Sequence, residues 1–88
     1  MKKVIVILSV ILTLANCGKV DELPLILPVG SEPSAKIHND LGIDHFKHGR
    51  YLDAYLQFNQ AKVADNTTGE IYFNLGLASH MRGESEKA

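Results

Sequence analysis

An all-α fold built from a helical repeat is predicted for this chain of 88 residues by two observations. The first is an internal period, in which Leu41 recurs as Leu75 and Gly42 recurs as Gly76 at the same spacing. The second is apolar spacing typical of amphipathic helices on both sides of Gly49. A fixed period in this range indicates stacked units, none of which buries its apolar face alone.

The composition excludes several classes of protein. The formal net charge is −1, so the chain lacks the basic excess of a nucleic-acid-binding domain and we expect no nucleic-acid partner. Cys17 is the single cysteine, which rules out an intrachain disulfide framework. The sequence shows no nucleophile–base constellation, glycine-rich phosphate loop or pair of catalytic acids. We therefore expect neither enzyme activity nor a cofactor.

The segment 1–16 has the organisation of an export signal. Two lysines precede an apolar run over residues 4–15, which is shorter than the roughly 17–25 residues of a membrane-spanning helix. The run ends in Leu14-Ala15-Asn16-Cys17, which resembles a bacterial lipobox, although that family prefers Gly, Ala or Ser where Asn16 stands. The resemblance implies that residues 1–16 are a lipoprotein-type signal peptide.

The same resemblance implies lipidation of Cys17, palmitate included, and a place at the cell envelope. The membrane would then be a partner through the lipid anchor, and stable anchoring takes more than one acyl chain. Gly18 stands where an aspartate commonly marks inner-membrane retention, so the outer membrane is favoured, on its periplasmic side. The alternatives are a secreted or periplasmic protein cleaved near Ala15, and an uncleaved anchor.

Residues 17–34 are expected to form the lipidated cysteine and a proline-rich tether. Pro24, Pro28 and Pro33 all fall here, and proline both removes a backbone donor and biases the preceding residue toward extended conformations. An extended segment of this length reaches roughly 50 Å at most. The alternative is that the apolar stretch over residues 23–29 packs on the repeat or contacts a partner.

Two helices are predicted around Gly49, which is a natural helix stop. Ser34 is expected to cap the first helix, and the second helix is predicted over residues 51–64. A third helix follows the polar break at residues 65–68. Its start has the spacing of a capping box, in Thr67 and Glu70, and we expect it to end at Gly83.

The residues at the repeated positions match a known pattern, W-x2-L-G-x2-Y followed by A-x3-F and then P, whose period is that of the repeat seen here. The first copy reads His38, Leu41, Gly42, His45, Ala54, Phe58, Ala61 and Asn66, and the second reads Tyr72, Leu75, Gly76, Ser79 and Ala88. The chain thus resembles the tetratricopeptide repeat (TPR) family, with His38, His45 and Asn66 as departures. The resemblance implies about one and a half units, at residues 35–68 and, incompletely, at residues 69–88.

The resemblance also assigns packing positions to the repeat. Small residues are expected where paired helices approach most closely, and larger apolar side chains are expected to fill the space around them. The structural positions are Leu41, Gly42, Tyr51, Ala54, Phe58, Ala61, Tyr72, Leu75 and Gly76.

In the TPR family the first helix of each unit lines a concave groove that binds partners. The matching positions are Lys36, Asn39, Ile43, Phe46 and Lys47, and then Glu70, Phe73, Leu77, His80 and Met81. The apolar middle of this set favours an extended or helical peptide as the ligand. The alternative is that these apolar residues pack against a neighbouring repeat, a missing helix or the apolar tether.

The functional prediction is an envelope-anchored interaction module, a TPR scaffold or assembly factor that binds a partner protein or peptide. The first alternative is a structural subunit that acts as a homo-oligomer through the uncovered side of the second unit. A partner, a second copy or a longer chain could supply the helix that covers this side, or the one and a half units could suffice with the tether covering it. The minor alternative is metal binding by a periplasmic protein through His38, His45 and His48, which share helical spacing.

Overall fold

The computed structural model describes residues 22–87, with the side chain of the last residue excepted. Three helices follow one another: α1 (Pro33–Lys47), α2 (Tyr51–Ala64) and α3 (Gly69–Lys87). All regular secondary structure in the described residues is helical, so the predicted all-α, repeat-like fold class is confirmed. The predicted signal peptide and Cys17 lie outside the described residues. Within residues 22–87, no helix combines the length and the apolar character needed to cross a bilayer.

Helix α1 begins slightly earlier than the sequence suggested, because an acidic side chain caps it. The carboxylate of Glu32 accepts the backbone N–H of Ser34 at 3.1 Å and that of Ala35 at 2.7 Å. Pro33 fits the first helical position, where no backbone donor is needed. The prediction that Ser34 caps the helix was therefore wrong: a carboxylate satisfies two free amides at once and carries a favourable charge at the helix N-terminus.

The turn between α1 and α2 depends on Gly49. Its φ of +77° lies in the left-handed region, where glycine carries no Cβ penalty. The amides of His48 and Arg50 both donate to the carbonyl of His45, at 3.1 and 2.9 Å, and close the end of the helix. The predicted stop at Gly49 is confirmed, and α2 begins two residues later as predicted.

The turn between α2 and α3 is organised by Asp65 rather than by the predicted capping box. Its carboxylate accepts the hydroxyl of Thr67 at 2.6 Å, the hydroxyl of Thr68 at 2.7 Å and the amide of Thr67 at 3.0 Å. These hydrogen bonds, that of the Thr67 hydroxyl first, lower the pKa of Asp65. The pairing of Thr67 with Glu70 was wrong, because the Thr67 hydroxyl is committed to the preceding aspartate.

Helix α3 continues through Gly83 to Lys87, so the prediction that it ends at Gly83 was also wrong. Only Gly30 and Gly49 have positive φ among the described residues, and Gly83 therefore lacks the left-handed conformation of a helix stop. The last turns carry an exposed ion pair between Arg82 and Glu86, at 3.7 Å.

Helix α2 packs on α1 and on α3 and carries the centre of the core. Ala54, Phe58 and Ala61 are all fully buried. The closest approach is at Gly42 of α1, where a Cβ atom would lie 2.5 Å from the Phe58 ring. Phe46 also contributes, since its ring meets that of Tyr51 edge-on, with centroids 5.1 Å apart.

Five of the assigned packing positions are less enclosed than expected. Tyr51 is half-buried, and Gly76 is exposed and not at a close approach between helices, so its predicted packing role was wrong. Leu41 is 45 % exposed, so its predicted role in filling the core was wrong. Tyr72 is also exposed, and its hydroxyl donates to the carbonyl of Asn66 at 2.8 Å. Leu75 is half-buried at the edge of the core. The Leu41 side chain lies away from the contact between α1 and α2, which passes through Gly42.

The two repeat-related glycines give a matched test of this packing. Gly42→Ala should lower the free energy of unfolding by about 1–3 kcal/mol, because the new methyl group overpacks the buried Phe58 ring. Gly76→Ala should raise it by about 1 kcal/mol, because no atom lies within 4 Å of the new Cβ and alanine favours the helix. Urea denaturation of both variants checks the signs, and equal effects would contradict this packing.

Candidate functional site

The most distinctive feature of the structure is the way the chain before α1 is held against the helices. Residues 22–28, here called the N-terminal segment, have no regular secondary structure and run back along α1 and α3. The backbone N–H of Leu25 donates to Asn74 Oδ1 at 2.7 Å. Its carbonyl accepts from Asn74 Nδ2 at 2.8 Å and from Asn39 Nδ2 at 3.0 Å. Both main-chain groups of one residue are therefore bound by side chains of two helices.

The two asparagines form a closed polar pair inside an otherwise apolar core. Asn39 on α1 and Asn74 on α3 are each 0 % exposed. Asn74 Nδ2 also donates to Asn39 Oδ1 at 2.8 Å, which links the two helices directly. Among the described residues, no buried side-chain nitrogen or oxygen lacks a partner. Leu25 supplies three of the four hydrogen bonds of the pair, so a main chain between the helices provides most of its partners.

The side chains of the N-terminal segment divide between the core and the solvent. Leu27 is 4 % exposed and packs with Ala35, Ala61 and Ile71, while Pro24 is also buried. Leu23, Leu25 and Ile26 remain exposed. Of the two interpretations of this apolar stretch, packing on the repeat is the one that the structure shows, and a free tether was wrong for residues 22–28. The physical reasons are the burial of Leu27 and the hydrogen bonds of Asn39 and Asn74 to the main chain of Leu25, here called the clamp.

Some of the positions predicted to line the binding groove belong to the core. Ile43 and Phe46 of α1 and Leu77 of α3 are nearly buried and form one cluster with Ala54, Phe58 and Ala78. Treating these three as an open peptide surface was therefore wrong. Because α3 stacks beside the pair of α1 and α2, these side chains join the two units of the repeat, as the alternative interpretation had it.

The remaining positions of the predicted groove are mostly exposed or half-buried. Asn39 is a clamp residue, Met81 is half-buried against the core, and Glu70 is half-buried. Lys36, paired with Asp40 at 3.5 Å, and Lys47 are exposed, as are Phe73 and His80. Of these positions, Asn39 contacts the N-terminal segment by a hydrogen bond, and Lys47, Phe73 and His80 line depressions beside it.

Two shallow depressions lie beside the N-terminal segment. One, of about 390 Å³, lies along α3 and is lined by Glu22, Tyr72, Phe73, Gly76, Leu77 and His80. The other, of about 270 Å³, lies along α1 and is lined by Ile26, Asp40, Ile43, Asp44 and Lys47. A bound chain in place of the segment would therefore have room for side chains on both flanks.

Sequence reasoning named Asn39 and missed Asn74. One repeat period after Asn39 falls on Phe73, so the strict repeat pointed to the neighbouring position. A signal was available: Asn74 lies between Ile71 and Ala78 at helical spacing, on the stripe that the structure buries. A polar residue on a buried stripe needs a hydrogen-bonding partner, and here that partner is 49 residues away along the chain.

The three histidines of the first unit have separate partners. His38 Nδ1 lies 2.9 Å from Gln57 Oε1, and His48 Nδ1 lies 2.8 Å from the carbonyl of Asp44. His45 Nδ1 accepts from Arg50 Nε at 2.9 Å. No group of three or more potential metal ligands comes together in residues 22–87.

Comparison with known proteins adds no further constraint. No family model matches the chain, and neither a curated protein nor a solved structure matches it. The TPR resemblance therefore rests on the residues themselves and on the period at which they recur.

Proposed function

We propose that this chain is a protein-interaction module of the bacterial envelope whose groove between α1 and α3 binds an extended peptide. The observation that carries the proposal is the clamp of Asn39 and Asn74 on both main-chain groups of Leu25. Two buried amides that bind a main chain provide a site for an extended peptide, because every residue except proline offers the same N–H and C=O groups.

The geometry sets two requirements on the ligand and leaves two positions free. The residue between Asn39 and Asn74 needs a free N–H, so it cannot be proline. The residue two positions later, in the place of Leu27, must be apolar because it enters a buried pocket between the helices. The residues at the places of Leu23 and Ile26 face solvent and are free to vary. The ligand class is therefore an extended segment that carries an apolar residue two positions after the one held by Asn39 and Asn74.

The N-terminal segment must be displaced before such a peptide binds in the groove. A segment tethered by a few residues has an effective concentration on the order of millimolar at its groove. A free peptide displaces it only at a higher concentration or with a higher intrinsic affinity. Partner binding is therefore expected to be weak while the clamp holds Leu25. Weakening the hold on Leu25 should reveal the affinity of the groove.

The envelope location is part of the proposal and is supported by the lipobox resemblance at Cys17. Lipid on Cys17 would place the groove within a few residues of the membrane surface, since the described N-terminal segment starts at Glu22. Labelling with palmitate should disappear in Cys17→Ala. Labelling that persists in that variant would contradict lipidation of Cys17, and a natural chain that takes up no label would point to secretion or a periplasmic location instead.

Peptide binding is tested with a labelled peptide that copies residues 22–29 and with the full chain carrying Leu25→Pro. This substitution removes the N–H that Asn74 accepts, and so frees the groove. We expect the variant to bind the peptide at least tenfold more tightly than the natural chain in fluorescence anisotropy.

The matched controls are two N-methylated forms of the same peptide. Methylation at the Leu25 nitrogen should weaken binding at least tenfold, because Asn74 loses its donor. Methylation at the Ile26 nitrogen should change binding little, since this exposed residue makes no described hydrogen bond through its amide. If both methylated peptides bind as well as the parent, the clamp does not hold the ligand and the proposal fails.

A further inference from the structure

We infer that the N-terminal segment also binds in trans, so that two copies of this chain associate by exchanging residues 22–28 between their grooves. The inference rests on the proposed function, because it uses the same groove, and it names a partner: a second copy. The structure shows how this segment fits the groove: Asn39 and Asn74 bind the main chain of Leu25, and Leu27 is buried. The same segment from a second copy makes the same contacts.

The connection between the segment and α1 has the features of a hinge. It consists of residues 28–32 and is closed by local bonds: Ser31 donates through its amide and its hydroxyl to the carbonyl of Pro28, at 3.2 and 2.6 Å. Val29 is fully exposed, and no atom lies within 4 Å of a Cβ placed on Gly30. Opening this turn therefore breaks local bonds and leaves the core contacts of the helices in place.

The turn also depends on one residue in an unusual conformation. Gly30 has a φ of +91°, which residues with a side chain rarely adopt. The closed arrangement, in which the segment folds back onto its own groove, requires this φ. The exchanged arrangement has no such requirement, because an opened connection is extended. A short hinge with this dependence is a low-cost route to exchange between identical chains.

The state in which the segment has left the groove is energetically unfavourable. If the segment leaves, Asn39 and Asn74 exchange three of their four hydrogen bonds for hydrogen bonds to water. The released Leu27 also becomes exposed to water. A second segment of the same sequence restores all of these contacts, and chains held on one membrane surface are concentrated for the encounter.

The hinge variant Gly30→Pro tests this inference in the full chain, because it leaves the segment and the groove unchanged. Proline fixes φ at a negative value and so opposes the closed turn, which needs a positive one. We expect analytical ultracentrifugation to give a dimer dissociation constant at least tenfold lower than that of the natural chain. Val29→Ala, a substitution at an exposed position of the same turn, should leave the constant unchanged.

The double variant Gly30→Pro, Leu25→Pro identifies the surface that holds the dimer. We expect it to be monomeric, because the segment loses the amide that Asn74 accepts. A dimer that persists in the double variant would overturn the inference in favour of another surface, such as the exposed side of α3. A folded monomer in Gly30→Pro alone would also overturn it, and circular dichroism establishes folding in each case.

A second measurement needs no hinge variant to fold. Chains labelled with ¹⁵N that carry only Cys17→Ser are mixed with unlabelled chains that carry Cys17→Ser and a spin label at Val29→Cys. Exchange should broaden the side-chain amide signals of Asn74 in the labelled copies, and unchanged signals would overturn the inference. If the free peptide binds but the chains do not exchange segments, only the inference that the partner is a second copy is contradicted. If the free peptide does not bind, the proposed function itself is contradicted.

Discussion

Phe58→Ala should lower the free energy of unfolding by about 3–5 kcal/mol. The Phe58 ring is fully buried at the point where α2 crosses Gly42, and it also belongs to the cluster that joins α2 to α3. Because Gly42 has no side chain to move into the vacated space, the cavity will not collapse easily. A chain of this size has a total stability of only several kcal/mol, so the cooperative unfolding transition should be nearly lost. Urea denaturation followed by circular dichroism measures the effect.

Phe73→Ala is the matched control for this substitution. Phe73 carries the same side chain on α3, but it is 41 % exposed beside the shallow depression along that helix. We expect a loss below about 1 kcal/mol, in the range of substitutions outside the core. If the two phenylalanine variants lose similar stability, the repeat does not pack through Gly42 and Phe58.

The second large effect is expected from Asn74→Ala. The substitution leaves Asn39 Oδ1 and the Leu25 amide without their partners, at about 1–3 kcal/mol for each group that water cannot reach. We expect a total loss of about 2–4 kcal/mol in the same denaturation experiment. Asn66→Ala, at an asparagine of the turn before α3, should change stability by about 0.5 kcal/mol or less.

The coupling between the two asparagines provides a further check on this prediction. Asn39→Ala and Asn74→Ala remove parts of one network, so the loss in the double variant should be smaller than the sum of the two single losses. Strict additivity would show that the two side chains do not share a hydrogen-bonded unit, and would contradict the clamp.

The sequence predicted the parts of the fold that depend on local signals. Helix α2 has the predicted bounds, because an apolar helical pattern is enclosed between Gly49 and the polar break at residues 65–68. The residues that cap the helix ends were harder to predict from the sequence. Glu32, not the predicted Ser34, caps α1, and Asp65, not the predicted Thr67, organises the turn before α3. At each end, several neighbouring side chains could accept the same backbone amides.

The candidate site was only partly predictable because it depends on contacts between distant parts of the chain. Asn39 was selected as a groove residue, but its link to Asn74 and Leu25 needs the fold-back of residues 22–28. The prolines correctly indicated a segment without regular secondary structure, but they did not show where it lies. Ile43 and Phe46 were placed on an open surface because their burial depends on α3, which the period alone did not locate.

Hydrogen exchange at the Leu25 amide tests the central claim most directly, because the clamp acts on that group. By NMR, we predict that the Leu25 amide exchanges at least on the order of a hundredfold more slowly than in the unfolded chain, as expected for a hydrogen bond lost only on opening. The neighbouring Ile26 amide should exchange close to the unfolded rate, which provides an internal control. Fast exchange at both amides would show that the segment is not held between Asn39 and Asn74, and would contradict the account of the groove.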